Sequence, residues 1–367
     1  MKVFTGDRAF LVITAVLALG GIAIFSSALL GLLARPNASV ASAALSQVVF
    51  GLGAGIGAFA IARTIPLALV KRWAPWLYGA SLLLTALVFV PGIGKHVNGA
   101  TRWLDLGITT VQPAEFLKFG AVIMVAWLLS KYSKKLKDWR YGLAPFLGIV
   151  GAPAVILLAQ PNTSTTALVL ATAGIMYFAA GAPMRDFAVI ALIAIVTLAA
   201  LLHFRPYAMK RVETFIHPSA ADALGGGYQI QQSLIAIGSG GISGRGFGQS
   251  VQKFNYLPEP DGDSVFAVFG EEFGFIGSVI LVALFALFAA RGIVIAGESR
   301  DLFGGLTALG FSWLIAFQAF VNMSAMLGIV PLTGLPLPFV SHGGTALMMV
   351  LAAAGLILNI AAHRKAA

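Results

Sequence analysis

Two long stretches without a charged residue constrain this chain more than any other feature. Ala9–Ala34 and Leu302–Ala362 contain no Lys, Arg, Asp or Glu. A helix that spans a bilayer needs about 20 apolar residues, so the second stretch is long enough for two crossings. Only 10% of the 367 residues are charged, against about 25% in soluble domains. The sequence therefore indicates an integral membrane protein and excludes a soluble cytosolic enzyme.

The apolar runs and their breaks predict an all-α, polytopic membrane protein with ten transmembrane helices in a single domain over residues 1–367. The ten spans are expected in Ala9–Ala34, Ser42–Ala62, Trp73–Pro91, the segment from Pro113 to just before Lys131, Tyr141–Met184 (two spans), Phe187–Phe204, Phe273–Ala290 and Leu302–Ala362 (two spans). Gln160–Ser164 and Gly328–Pro338 divide the two double runs. The first run is too long for a signal-peptide core, so it is interpreted as an uncleaved helix.

Basic residues outnumber acidic residues by 24 to 14, which in a soluble protein would suggest nucleic acid binding. In a polytopic membrane protein, basic residues collect instead in the cytoplasmic loops. The short basic segments at 63–72 and 131–140 fall on the inner side when the N-terminus is cytoplasmic. We therefore expect both termini in the cytoplasm and no nucleic acid partner. The absence of Cys excludes disulfides and thiolate chemistry.

A large outer loop, from about residue 205 to 265, lies between predicted helices 7 and 8. Long loops in compact proteins are usually functional. Its acidic end, Glu259-Pro-Asp-Gly-Asp263, holds three carboxylates, and an Asp-x-Asp pair is able to hold a divalent cation. Short Asp/Gly runs are more often solvated turns. From these residues alone, a catalytic role, a ligand role and a plain turn all remain open.

The same loop contains a glycine-rich stretch, Gly238–Gly248, which includes Arg245. It follows no strand of a βαβ unit and has no Gly-Lys-Ser/Thr ending, so it does not fit a nucleotide-binding loop. One interpretation is a set of tight turns with close backbone packing. The other is phosphate binding by exposed backbone N–H groups together with Arg245.

Glu115 and Lys118 lie three residues apart within a predicted span, and therefore on one face of the helix. A charge at the bilayer centre costs about 2.5–3.5 kcal/mol, so such residues usually pair or line a cavity. A structural ion pair and a substrate site are both compatible with this spacing. Just upstream, Arg102, Trp103 and Asp105 are expected at the outer interface. The five histidines show no metal-ligand spacing.

Taken in order, several motifs resemble the SEDS family (shape, elongation, division and sporulation), the ten-helix polymerases of peptidoglycan. The matching segments are Asn98-Gly-Ala-x-Arg-Trp103, Gln112-Pro-Ala-Glu-x-x-Lys118, Tyr228–Gly241, Gly244-x-Gly246, Leu257-Pro-Glu259, Asp263, Phe266-Ala267, Glu271-Glu-x-Gly274 and Thr333–Gly344. Three stretches depart from the family pattern: Pro161–Thr165, Asp261–Ser264 and Ser341–Gly344. Asn162 stands where an acid is usual, Asp261 where a His is usual and His342 where a Tyr is usual.

The resemblance implies an inverting glycosyltransferase that polymerises lipid II into glycan strands, with undecaprenyl pyrophosphate as the leaving group. It places the active site on the outer face of the bacterial cytoplasmic membrane. It also implies that Asp263 is the catalytic base for the acceptor 4-hydroxyl. The candidate substrate-binding residues are Arg102, Trp103, Glu115, Lys118, Arg211, Arg245 and Ser341, whose cations would stabilise the departing pyrophosphate. No cofactor is required, although Mg²⁺ or Mn²⁺ stays open for the acidic cluster.

Asn98 and Gly270-Glu-Glu272 resemble the FtsW-like division branch of the family more than the RodA-like elongation branch. The resemblance also implies a class B penicillin-binding transpeptidase as partner, because the chain has no cross-linking site of its own. Other membrane proteins of the division complex, lipid II and membrane lipids complete the expected partners. Two alternatives stay open: a flippase or transporter of lipid-linked precursors, and a non-enzymatic division scaffold.

Overall fold

The apolar runs fold into helices in a computed structural model that describes residues 7–34, 40–97, 99–105, 107, 110–217 and 226–364. The α-helices are α1 (Arg8–Leu29), α2 (Val40–Leu45), α3 (Ala54–Thr64), α4 (Leu67–Ala86), α5 (Pro113–Lys131), α6 (Leu143–Ala159), α7 (Thr163–Ala179), α8 (Met184–Phe204), α9 (Pro206–Ile216), α10 (Gly226–Ser239), α11 (Val265–Gly297), α12 (Leu302–Met326) and α13 (Gly344–Ala362). A π-helical segment, Ser46–Gly53, joins α2 to α3. The strands are β1 (Gly94–Val97), β2 (Ala100–Asp105) and β3 (Thr110–Val111).

Seven helical segments of the described residues are long and apolar enough to cross a membrane. They are Arg8–Ala34, Val40–Thr64, Pro113–Lys131, Met184–Phe204, Val265–Gly297, Leu302–Met326 and Gly344–Ala362. Helices α6 and α7 are apolar but shorter, and α4 carries Lys71 and Arg72 near its start. These segments support a multi-pass membrane protein, whereas the number of ten crossings stays a prediction. Asn98, one of the motif residues, lies outside the described residues.

Asp7 connects three parts of the chain at one end of the bundle. As the N-cap of α1, it accepts a hydrogen bond from the Phe10 N–H at 2.9 Å. Its other oxygen accepts from Arg291 Nε on α11 at 2.8 Å and from Arg364 after α13. Burial alone would raise the pKa of Asp7, but the hydrogen bonds from Arg291, Phe10 and Arg364 hold it well below its usual range. This carboxylate therefore fixes α1, α11 and the C-terminal segment together.

Helices α5, α12 and α13 form the buried centre of the bundle, and α12 packs against α5, α7, α11 and α13. By contrast, the apolar face of α8 is exposed throughout its spanning window. A lipid-facing helix needs no buried face, because lipid tails are as apolar as its own side chains. Because α5 and α12 pack against each other at the buried centre, their polar side chains meet in the protein interior.

The segment before α5 forms an antiparallel sheet in the order β1-β2-β3, which the all-α prediction missed. Lys95 pairs in register with Trp103, while Ala100 and Leu104 are buried. An ion pair of 3.2 Å between Lys95 Nζ and Asp105 Oδ2 joins β1 to β2. The all-α prediction is wrong here because strands this short show too little alternation to be told from a loop.

The predicted loop between helices 7 and 8 is also partly helical, because α9 and α10 occupy much of residues 205–265. Pro206 is the first residue of α9, where its missing N–H costs no helical hydrogen bond. Helix α10 packs against α11 and α12, and it buries Ile230 and Ala236. The predicted loop is therefore corrected to two helices followed by turns. The helical pattern of α10 is difficult to recognise in the sequence because Gln, Ser and Gly stand between its apolar residues.

The glycine-rich stretch completes the hydrogen bonding of a break in α11. Gly274 interrupts the helix with a φ of 64°. Across the break, the Phe275 N–H donates to the Gly241 carbonyl at 2.9 Å, and the Gly246 N–H donates to the Glu272 carbonyl at 2.9 Å. A Cβ on Gly274 would lie 2.3 Å from a backbone nitrogen of the stretch, so this approach requires glycine. The geometry supports the interpretation as tight turns with close backbone packing.

Candidate active site

Asp263 lies at the entrance to α11, directly before the N-cap residue Ser264. Gln229 on α10 donates through Nε2 to Asp263 Oδ1 at 3.1 Å and to Ser264 Oγ at 2.9 Å. From the opposite side, Asn322 on α12 donates through Nδ2 to the carbonyls of Asp263 and Leu335, both at 2.7 Å. The side chain and the backbone of Asp263 are therefore fixed by two different helices.

The environment of Asp263 changes its acidity. Burial raises its pKa, and the neighbouring charge of Glu259 adds to the rise. The hydrogen bond from Gln229 and the positive charge of Arg211 act in the opposite direction. Together these effects raise the pKa of Asp263 to about 6. Such a carboxylate is ionised at neutral pH and is also basic enough to accept a proton efficiently.

Arg211 lies beside this carboxylate. A Cβ on Gly334 would lie 3.9 Å from Arg211 Nη2 and 3.9 Å from Asp263 Oδ2, so both side chains border the same glycine. Gly334 has a φ of 65°, a left-handed conformation that favours glycine. Arg211 comes from α9 and also donates through Nη1 to Ser164 Oγ at 3.2 Å. A carboxylate and a guanidinium from separate elements thus border the same glycine.

The turn between α6 and α7 holds a second arginine. Arg102 on β2 donates through Nε to the Gln160 carbonyl at 3.2 Å and through Nη2 to the Pro161 carbonyl. Arg211 binds Ser164 at the start of α7, directly after this turn, so the two predicted cations both contact the segment 160–164. A cavity of about 380 Å³ lies beside the turn, lined by Gln160, Pro161 and the β1–β2 hairpin.

Glu115 and Lys118 form an ion pair in the first turns of α5. Lys118 Nζ lies 2.8 Å from Glu115 Oε1, and each residue is only 4% exposed. Lys118 also donates to Gln318 Oε1 on α12 at 2.8 Å. One turn further along α12, Asn322 holds the Asp263 carbonyl. The two side chains pair as expected for charges at membrane depth, and α12 connects the pair to the loop of Asp263.

Asp261, the neighbouring aspartate of the acidic cluster, contacts a different residue. Its Oδ2 lies 3.5 Å from Nδ1 of His342, and its carbonyl accepts from the His342 N–H at 2.7 Å. Within the described part of the chain, no three His, Cys, Asp or Glu side chains are grouped so as to hold a metal ion. The two aspartates have separate contacts, so their geometry gives no support to an Asp-x-Asp cation site.

Trp103, Arg245 and Ser341 make contacts of their own. Arg245 Nη1 lies 3.2 Å from Glu271 Oε1. Ser341 Oγ accepts from the Leu337 N–H at 2.7 Å and closes a turn before α13. Trp103 is partly exposed on β2. These three residues are not joined to the hydrogen bonds around Asp263 described above, and their roles in substrate binding stay predictions.

A buried cluster anchors the chain just before Asp263. Lys253 is fully buried. Its Nζ lies 2.8 Å from Glu272 Oε1, 3.0 Å from Ser27 Oγ and 2.8 Å from the Gly248 carbonyl. These contacts tie the turns that precede Asp263 to α1 and to the kinked start of α11. No sequence pattern described above singles out Lys253.

Sequence reasoning also missed Gln229, Gln318 and Asn322. Two of them carry a recognisable signal, because Gln318 and Asn322 are amides four residues apart within an apolar run that lacks charges. Residues at this spacing share one helix face. A pair of amides on one face of a buried helix indicates a polar contact inside the bundle.

Relatives of known name identify the family of this chain. The family model for FtsW/RodA/SpoVE cell cycle proteins matches residues 7–366. Stage V sporulation protein E of Bacillus subtilis (strain 168) is 39% identical over 295 residues, which cover 80% of this chain and 80% of that protein. A probable peptidoglycan glycosyltransferase FtsW of Geobacter sp. (strain M18) is 38% identical over 297 residues, 81% of each chain.

Solved structures share the fold. A chain of a peptidoglycan synthase complex, studied for its coordination of polymerization and crosslinking, superposes with a TM-score of 0.80 at 28% identity and covers 98% of this chain and 99% of that chain. The rod shape determining protein RodA of Thermus thermophilus superposes with a TM-score of 0.70 at 28% identity and covers 99% of both chains. With its ordered motifs, its fold and these matches in agreement, the chain belongs to the FtsW/RodA/SpoVE family of SEDS proteins.

Proposed function

We propose that this protein is a peptidoglycan glycosyltransferase that polymerises lipid II, with Asp263 as the catalytic base. The observation that carries the proposal is a carboxylate with a pKa raised to about 6, placed beside Arg211. Asp263 also occupies the position at which the family motifs have their essential aspartate. Relatives named as probable peptidoglycan glycosyltransferases support the type of reaction.

In the proposed reaction the donor sugar is α-linked to undecaprenyl pyrophosphate and the product linkage is β, so the anomeric carbon is inverted. The acceptor 4-oxygen forms the new bond to that carbon while its proton passes to the carboxylate of Asp263. On the opposite face, the bond from the anomeric carbon to the pyrophosphate breaks, and the electron pair leaves with the pyrophosphate. General-base assistance of this kind contributes about 10²–10⁴-fold to the rate.

Arg211 and Arg102 are the proposed stabilisers of the departing pyrophosphate. Both arginines bind the segment 160–164, and Arg211 borders Asp263. Fixed cations that face developing negative charge lower the barrier without reorganising during the reaction. Glu115 and Lys118 support the same site by holding Gln318, and through α12 they influence the loop of Asp263.

The proposed setting is the bacterial cytoplasmic membrane. Ten crossings are formed by α1, α2–α3, α4, α5, α6, α7, α8, α11, α12 and α13. The basic loops at 63–72 and 131–140 support cytoplasmic termini. In this orientation Asp263, α9, α10 and the small sheet all lie at the outer face, where lipid II is used.

A class B penicillin-binding transpeptidase is the proposed partner, together with other membrane proteins of the division complex. Similarity to a chain of a peptidoglycan synthase complex supports this assignment. The similarity to FtsW proteins favours a role in division. Elongation, as for RodA, is the alternative, and the similarity to a sporulation protein adds spore formation as a third setting.

We expect the reaction to need no bound cofactor. Asp261 contacts His342, and Asp263 contacts Gln229, so the residues of the acidic cluster do not converge on one point. Every proposed step therefore uses side chains of this chain, and polymerisation with and without added Mg²⁺ or Mn²⁺ tests this expectation.

The test is glycan polymerisation from purified lipid II, with and without the partner. The expected result is polymer that depends on Asp263, and the absence of polymer even with the partner would overturn the proposal. A proteoliposome assay that separates translocation from polymerisation addresses the flippase alternative. Translocation without polymerisation, unaffected by Asp263→Asn, would replace the proposed function with lipid transport.

A further inference from the structure

The loop that carries Asp263 has a second attachment, on its other side. Two contacts join Asp261 to His342: a backbone hydrogen bond of 2.7 Å and a side-chain contact of 3.5 Å between Oδ2 and Nδ1. Both residues depart from the SEDS motifs, and they lie far apart in the sequence. Two departures that meet in space indicate that they act together.

The position of His342 is fixed without help from Asp261. Gln47, in the π-helical segment, donates through Nε2 to the Ser341 carbonyl at 3.2 Å and accepts through Oε1 from the Gly343 N–H at 2.9 Å. The imidazole stacks on Phe25 of α1, with ring centroids 5.8 Å apart. Since Gln47 holds the residues on both sides of it, His342 is a fixed anchor for the loop, in addition to the contacts of that loop with α10 and α12.

The two ring nitrogens of His342 have different surroundings. Among the described residues, Nε2 is buried without a hydrogen-bond partner, whereas Nδ1 lies 3.5 Å from Oδ2 of Asp261. The edge of the imidazole that meets a polar side chain is therefore the edge that faces Asp261.

Movement of Asp261 is transmitted to Asp263 because the loop between them is compact. The Gly262 and Ser264 N–H groups both donate to the Glu259 carbonyl, at 3.0 and 3.2 Å. Asp263 is two residues from Asp261 and sits inside the same turn. If His342 releases Asp261, the turn loses one of its attachments and Asp263 gains access to water.

We propose that Asp261 and His342 are positioning residues, forming a latch that holds Asp263 in its partly buried place for glycosyl transfer. This inference rests on the proposed polymerase function. The groups that face Asp263 are Glu259 on its own loop, Arg211 on α9, Gln229 on α10 and, through an uncharged amide, Asn322 on α12. None of them is removed when the latch is broken, so a change in acidity then reports a change in burial.

The experiment measures the rate of lipid II polymerisation against pH for Asp261→Asn, His342→Phe and the double variant. Each single substitution removes the side-chain contact and leaves the backbone hydrogen bond, so it is expected to lower kcat only about three- to tenfold, the range of an ordinary hydrogen bond, with little change in KM. The double variant is expected to lose no more than the larger single loss. The acid limb of the profile is the fall in rate at low pH, where Asp263 takes up a proton. In the variants it is expected to move below pH 6, because burial is the main reason that the pKa of Asp263 is raised.

The matched control is Glu298→Gln, which removes the 2.7 Å ion pair with Arg364 at the other end of the bundle. It is expected to leave both rate and acid limb unchanged. Thermal unfolding of each purified variant verifies folding, and His342→Phe keeps a ring against Phe25 if Asp261→Asn fails to fold.

Three results would overturn the inference. Unchanged rates and acid limbs in the single variants would show that the two residues form no latch. Losses that multiply in the double variant would show that the residues act separately. A lower rate with an unmoved acid limb would mean a structural role only. A wild-type protein that makes no polymer would instead overturn the polymerase function itself, so the two failures are distinguishable.

Discussion

Asp263 and the pair Glu271–Glu272 lie near each other on the chain, but their carboxylates differ in how many hydrogen bonds they accept. Glu272 binds the buried Lys253 at 2.8 Å, and Glu271 accepts three hydrogen bonds from residues 250–252. Asp263 instead receives one amide hydrogen bond from Gln229 and borders an arginine. Carboxylates whose lone pairs are fully used hold the backbone, whereas an incompletely bonded one keeps the capacity to take a proton.

The substitution Asp263→Asn tests the carboxylate that is proposed to take the proton, and it is expected to have the largest effect on the polymerisation rate. Asparagine keeps the shape of the side chain and its contact with Gln229 but cannot accept the proton. Polymerisation should fall by about 10²–10⁴-fold, the range of general-base assistance. Insertion into the membrane and thermal stability should not fall. The measurement is polymer formed from purified lipid II at matched expression.

The control for that prediction is Asp261→Asn, which should be much milder because the Asp261 carboxylate contacts His342 rather than Asp263's partners. Near-normal activity of Asp263→Asn would contradict the catalytic assignment. Equal losses in both variants, restored by added Mg²⁺ or Mn²⁺, would replace the base with a cation site. Removal of divalent cations by a chelator should leave the wild-type rate unchanged.

The substitution Lys253→Met tests the structural carboxylate of the comparison, Glu272, by removing its ion-pair partner. Removal of one partner leaves Glu272 as a buried charge, which typically costs about 3–5 kcal/mol. Thermal or chemical unfolding of the detergent-solubilised protein should show this destabilisation. The double variant Lys253→Met with Glu272→Leu removes both charges and should recover much of the loss. Equal stability of Lys253→Met and wild type would show that the buried cluster does not anchor the loop.

Glu115 and Lys118 provide an intermediate test, because their ion pair is buried but connected to the site through α12. The single substitutions Glu115→Ala and Lys118→Ala should each lower activity or stability, since each leaves one charge unpaired at membrane depth. In the double variant the loss should be smaller than the sum by about 1–3 kcal/mol. Strict additivity of the three unfolding free energies would mean that the residues act independently.

Arg211 and Arg245 are the arginines beside Asp263 and Glu271, and their substitutions are expected to have the smallest effects on activity and stability. Arg211 borders Asp263, so Arg211→Ala should lower the polymerisation rate about tenfold or more by removing a fixed positive charge. Arg245 is partly exposed, and without it Glu271 keeps three hydrogen bonds from residues 250–252, so Arg245→Ala should destabilise the protein less than Lys253→Met does. A larger loss of activity with Arg245→Ala would move the pyrophosphate contact to the glycine-rich stretch.

Local patterns were sufficient to predict part of this structure. Pro113 at the first position of a helix, with Glu115 and Lys118 following, predicted the start of α5 and the ion pair, because both depend on residues within two turns. The ordered motifs predicted the family. In contrast, the hairpin around Trp103 was missed, since its stability comes from packing against neighbouring helices rather than from its own short pattern.

The contacts that shape the site could not be predicted in the same way. Gln229 and Asn322 reach Asp263 from separate helices, and no spacing in the sequence relates them. The rise in the pKa of Asp263 comes mainly from burial, which depends on how α9, α10 and the loop before α13 close over it. Sequence patterns single out Asp263 as the candidate base, but its acidity depends on the assembled fold.

The central claim is that Asp263 acts as a base whose pKa is raised by burial, and the pH dependence of wild-type polymerisation tests it most directly. The base must be ionised, so the rate should rise with pH, reach half of its plateau near pH 6 and stay constant above it. The profile is measured with purified lipid II at saturating concentration, and folding is verified at each pH. A rate that stays constant down to about pH 4.5, as expected for an ordinary aspartate, would contradict the account.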